Sequence, residues 1–146
     1  MTSPAGPAPR RSVARRIGAV ALGVVTIVVL SVGTDAAMRA LGVFPPEDRP
    51  MPDALYILAT LYRSVYAIAG SYVAARCAPD RPMAHALALG GIGLFLCVVG
   101  AVATADRGPE FGPRWYSIAL IATALPCAWA GGLLHARRAA AAEQRA

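Results

Sequence analysis

Ile17-Gly-Ala-Val-Ala-Leu-Gly-Val-Val-Thr-Ile-Val-Val-Leu-Ser-Val-Gly33 contains no charged side chain. Arg10, Arg11, Arg15 and Arg16 precede it, and Asp35 and Arg39 follow it. A secretory signal has an apolar core of about 7–15 residues followed by a small-residue cleavage site. This run is longer, and Thr34-Asp35-Ala36-Ala37 does not supply such a site. The stretch therefore reads as a first transmembrane helix, extending to about Leu41.

Three more apolar runs follow, separated by proline-rich breaks. Pro45, Pro46, Pro50 and Pro52 end the first, because proline lacks the donor and the backbone freedom a helix needs. Pro79 and Pro82 separate the second from the third; Gly108, Pro109, Gly112 and Pro113 separate the third from the fourth. The expected spans are 17–41, 53–76, 83–105 and 115–135, each long enough for a hydrocarbon core of about 30 Å. Together, residues 17–135 read as one all-α, four-helix integral membrane bundle. Residues 1–16 read as a disordered basic head, and 136–146 as a cytoplasmic tail.

Composition agrees. Of 146 residues, 57% are hydrophobic and 15% charged, against about 25% charged in soluble domains. Mean hydropathy is +0.53. The net charge of +6 comes from fourteen basic residues, all arginine. They flank the apolar runs, which is the pattern that orients a membrane protein rather than one that binds nucleic acid. With the N-terminus inside, nine arginines fall on cytoplasmic segments and four (Arg39, Arg49, Arg107 and Arg114) on outer ones. Both termini are then cytoplasmic, and Tyr56, Trp115 and Tyr116 form an outer aromatic belt.

Catalytic chemistry finds no foothold. No HExxH, GxSxG or phosphate-cradling glycine loop occurs. Cys77, Cys97 and Cys127 are isolated from one another and from histidine, and read as structural thiols. No catalytic residue, metal or cofactor is expected, and nucleic acid is not an expected partner. The expected surroundings are the lipid bilayer and either a membrane-protein partner or further copies of the chain.

Arg63 is the exception to the apolar pattern. It lies ten residues past Asp53, about 15 Å along a helix. Charge at that depth costs about 2.5–3.5 kcal/mol on insertion scales, so it should face the bundle and be paired. Tyr56, Thr60, Arg63, Ala67, Gly70 and Ala74 share one helical stripe of small or polar residues. Leu58, Leu61, Val65, Ile68 and Tyr72 form the opposite, lipid-facing stripe. Asp35 is the candidate partner, with Arg39 competing for it one turn away. Two readings follow: a structural Arg63–Asp35 ion pair, or a ligand-facing stripe of Tyr56, Thr60 and Arg63 that binds an anion or lipid headgroup.

Asp48-Arg-Pro-Met51 and Asp80-Arg-Pro-Met83 repeat before two runs, and read as helix starts with an Asp cap and a first-turn proline. His85 reads as meeting lipid headgroups at the cytoplasmic interface. Ala86, Gly90, Gly93, Cys97 and Gly100 form a small-residue packing stripe. Pro126 should kink the fourth helix, and Gly131 and Gly132 should loosen its end.

Leu61–Arg76, Ala78–Met83, Leu89–Gly93, Trp115–Leu120 and Leu125–Gly132 resemble a group of small four-pass bacterial membrane proteins of unknown function. The likeness covers roughly residues 30–135. It implies a bacterial inner-membrane location and a four-helix fold, and brings no activity with it. The expected function is a non-catalytic accessory or structural membrane component. The alternative is a small homo-oligomeric transporter or channel subunit with an anion or headgroup site at Arg63. Small multidrug transporters have this size but rely on a glutamate within their first helix, which this chain lacks.

Overall fold

The computed structural model describes residues 9–46, 49, 51–108 and 112–145, with side chains from Val13. It consists of α1 (Pro9–Ala40), α2 (Asp53–Cys77), α3 (Pro82–Thr104) and α4 (Arg114–Glu143). No strand occurs among the described residues. Helices α1 from Val13, α3 and α4 are long and apolar enough to cross a membrane. Their outer surfaces stay apolar: Val102 is 73% exposed, Phe95 67% and Ile118 63%. Helix α2 is 25 residues long but carries Asp53, Arg63 and Arg76. It packs against all three other helices.

Two helices outrun their expected bounds. Residues 9–16 continue α1 rather than forming part of a disordered head; residues 1–8 lie outside the described residues. After Pro9, which suits a first helical turn, Arg10 to Arg16 contain no breaker. Helix α4 likewise runs past His135 to Glu143. Its Ala139–Ala142 run is the best helix-forming sequence available. At the other end of α1, Gly42 adopts φ +71°, and the amides of Val43 and Phe44 both donate to the Met38 carbonyl. That turn folds Phe44 back into a buried position.

The repeated tetrapeptides do not play equivalent parts. The residue capping α3 is Arg81, with a left-handed φ of 42° and no side-chain cap bond. The Asp80 carboxylate is instead turned to Arg16. Helix α2 starts at Asp53 after Pro52, while Asp48 and Pro50 lie outside the described residues. A carboxylate offered a guanidinium forms charge-assisted bonds, which are stronger than a cap bond to a neutral amide.

Close backbone approach fixes the packing. A Cβ built on Gly70 would stand 2.7 Å from the Gly23 carbonyl oxygen, and one on Gly23 2.8 Å from that of Gly70. Only glycine at both positions lets α1 and α2 meet this closely. A Cβ on Gly131 would stand 2.5 Å from the Ile68 carbonyl oxygen. Gly131 and Gly132 are buried contact points within α4, so they hold its end in place rather than loosening it. The small-residue stripe on α3 divides. Ala86 and Gly90 are buried, whereas nothing lies within 4 Å of a Cβ built on Gly93 or Gly100.

Candidate functional site at Arg63

Helices α1 and α2 run antiparallel, held by Arg16 on Asp80 in the turn after α2 and by the contacts Gly23–Gly70 and Asp35–Arg63. The last of these forms the site. Asp35 stands one turn before the end of α1. One carboxylate oxygen accepts from Arg63 Nη2 at 2.5 Å, and the other accepts from the Tyr62 hydroxyl. Beside it, the Thr34 and Tyr66 hydroxyls share a hydrogen bond of 2.8 Å. The Tyr62 and Tyr66 rings lie 5.6 Å apart. Thr34 and Asp35 of α1 are thus bonded to three side chains, Tyr62, Arg63 and Tyr66, of α2.

The expected ligand-facing stripe is only partly assembled. Tyr56 and Arg63 line a vestibule of about 470 Å³ with Asp35, Arg39, Arg49 and Tyr116. Tyr56 is buried against the aromatic belt, its ring 5.0 Å from Tyr116 and 6.4 Å from Trp115. Thr60 does not join them. Its hydroxyl donates to the Tyr56 carbonyl at 2.9 Å, as intrahelical threonines often do. Arg63 also lines a second, partly open cavity of about 190 Å³ to which all four helices contribute side chains.

What can this arrangement do? A guanidinium holds its proton and cannot relay it. Among the described residues, no three His, Cys, Asp or Glu side chains come together as a metal site. Arg63 and Asp35 neutralise one another, with Tyr62 as an additional donor. One donor is left over: Arg63 Nε is buried without a hydrogen-bond partner.

Sequence reasoning did not place Thr34, Tyr62 or Tyr66 at the site, and assigned Tyr116 only to an aromatic belt. A signal was present, since Tyr62 and Tyr66 are four apart and flank Arg63. They fall beside the small-residue stripe, however, and join the site through the reach of the phenol. The lipid-facing assignment of Tyr72 is also corrected. Its ring lies edge-on 5.8 Å from His135, with Arg138 Cζ 5.3 Å from its centroid. The unexpected length of α4 supplies the second of these neighbours, Arg138. His85 places Nδ1 3.3 Å from the Arg81 carbonyl oxygen and lines an α1–α3 groove with Arg16. All three cysteines are free thiols. Comparison with known protein families, curated proteins and solved structures finds no match for this chain.

Proposed function

We propose that this chain is a four-pass integral protein of the bacterial inner membrane, with both termini in the cytoplasm. There it serves as a non-catalytic accessory or structural component of a larger membrane assembly. The observation carrying this reading is the Arg63–Asp35–Tyr62 cluster. The deep charge is paired within the chain, which fits a lock between helices better than an open ligand site. The topology draws on the arginine distribution and on Arg16, Arg81 and Arg138 lying toward the end that Asp80 and Tyr72 mark. The apolar outer faces of α1, α3 and α4 support insertion. The inner-membrane assignment draws on the resemblance to small four-pass proteins.

Mild detergent extraction from native membranes, followed by native mass spectrometry, tests the reading. A stoichiometric foreign protein is expected. A homo-oligomer carrying only lipid or a small anion overturns it in favour of the transporter or channel reading. That second reading draws on the vestibule, where Arg39, Arg49 and Arg63 share one wall. It requires that overproduction change sensitivity to some ion, and that Arg63→Ala abolish the change while the chain still inserts.

A further inference from the structure

Helices α1 and α3 leave an open apolar groove between them, about 710 Å³ in volume. Small side chains explain it. Ala21, Ala84 and Ala88 each line it with only a methyl group, while the larger Ile17, Val25 and Ile92 stand exposed along it. One end differs in chemistry, for there Arg16 and His85 line the groove. Ala84 and His85 belong to the first turn of α3, whose N-terminus has no side-chain cap bond and carries partial positive charge. Arg15 and Arg81 adjoin this end in sequence, and the Asp80 carboxylate is bonded to Arg16.

We propose that this groove holds one acyl chain of an anionic phospholipid, with the headgroup phosphate at Arg16 and the start of α3. Length comes first. Nine residues take α1 from Arg16 to Val25, about 14 Å of helix, and one leaflet supplies about half of a 30 Å hydrocarbon core. The groove therefore runs the depth of one leaflet, with its charged end at the level of the headgroups. Charge comes second. Arg16 engages Asp80 through Nε and Nη2, and a guanidinium carries five N–H donors. It can take a phosphate oxygen without releasing Asp80. Basic pockets between membrane helices are suited to anionic headgroups for this reason. A second copy fits less well. A two-fold partner in the same membrane orientation would bring its own Arg15, Arg16 and Arg81 to the same end, setting like charges together. The inference rests on the membrane-spanning part of the reading above, and not on its orientation or on a protein partner.

The test uses the full chain, delipidated in maltoside micelles and titrated with phosphatidylglycerol or phosphatidylcholine of identical acyl chains. Native mass spectrometry reads the bound lipid. A saturable adduct of one phosphatidylglycerol per chain is expected, held about tenfold more tightly than phosphatidylcholine. Ala88→Phe fills the groove and should weaken both lipids; Ala21→Phe, on the other helix, is the second filling variant should the first fail to fold. Arg16→Gln should weaken phosphatidylglycerol alone, by about fivefold. Equal affinity for the two lipids, no saturable adduct, or an adduct that survives a filling variant with unchanged Tm overturns the proposal. A dimer that a filling variant breaks, with no lipid adduct, assigns the groove to a second copy instead. An alkaline wash of the chain in phosphatidylcholine vesicles separates the two levels of the account. Release by the wash refutes membrane insertion itself, whereas retention without a preference for phosphatidylglycerol refutes the lipid site alone.

Discussion

Ion pairs at Asp80 and at Arg63 tie α1 to the rest of the molecule, and the two differ in what surrounds them. At one end, Arg16 grips Asp80 with two bonds, Nε to Oδ1 at 3.1 Å and Nη2 to Oδ2 at 2.8 Å. Those side chains are 52% and 42% exposed. At the other end, Arg63 reaches Asp35 through Nη2 alone, at 34% and 23% exposure, and Tyr62 shares the carboxylate. The exposed pair has the better fork geometry but competes with water. The half-buried pair has the poorer geometry but less water to compete with. Surroundings, more than bond count, decide which pair the fold depends on.

The largest expected effect follows directly. Asp35→Ala strips Arg63 of its counter-charge and should destabilise the bundle by about 3–5 kcal/mol, read as a fall in Tm in detergent. Next comes the contact midway between the two pairs. Gly70→Ala pushes a methyl group against the Gly23 carbonyl and should cost about 1–3 kcal/mol despite a gain in helix propensity. Gly100→Ala meets nothing and should be neutral or stabilising by up to about 1 kcal/mol. Tyr62→Phe removes one donor from Asp35 and should cost about 1–2 kcal/mol, measured by the same melting. The smallest loss belongs to Arg16→Ala. A loss of about 0–1 kcal/mol is expected, shrinking further as salt is raised. An Arg16→Ala loss matching that of Asp35→Ala would erase the distinction between the two ends.

Legibility in the sequence followed the same divide. The bounds of α2 and α3 were readable to within a residue, because Pro52 and Pro82 punctuate them. The juxtaposition of Arg63 and Asp35 was readable because a deep charge needs a partner and few acidic residues lie within reach. The tyrosines around the pair were not. Tyr62 and Tyr66 act from beside the stripe, through side-chain length rather than helical phase. Asp80 carried a plausible local role as a cap, but its actual partner is 64 residues away. No local rule registers such a contact. The expected fourth span ended at residue 135, but the helix continues through Arg138, which lies over Tyr72, and on through Ala139–Ala142 to Glu143.

The most direct measurement is a double-mutant cycle on Asp35 and Arg63, including the charge-swapped pair, by reversible unfolding in micelles at low and high salt. A structural lock predicts a coupling of more than about 1 kcal/mol that is little affected by salt, with the swap recovering part of what each single reversal loses. Two singles and a double that are all equally unstable, or a coupling no larger than that of Arg16 and Asp80, would contradict it.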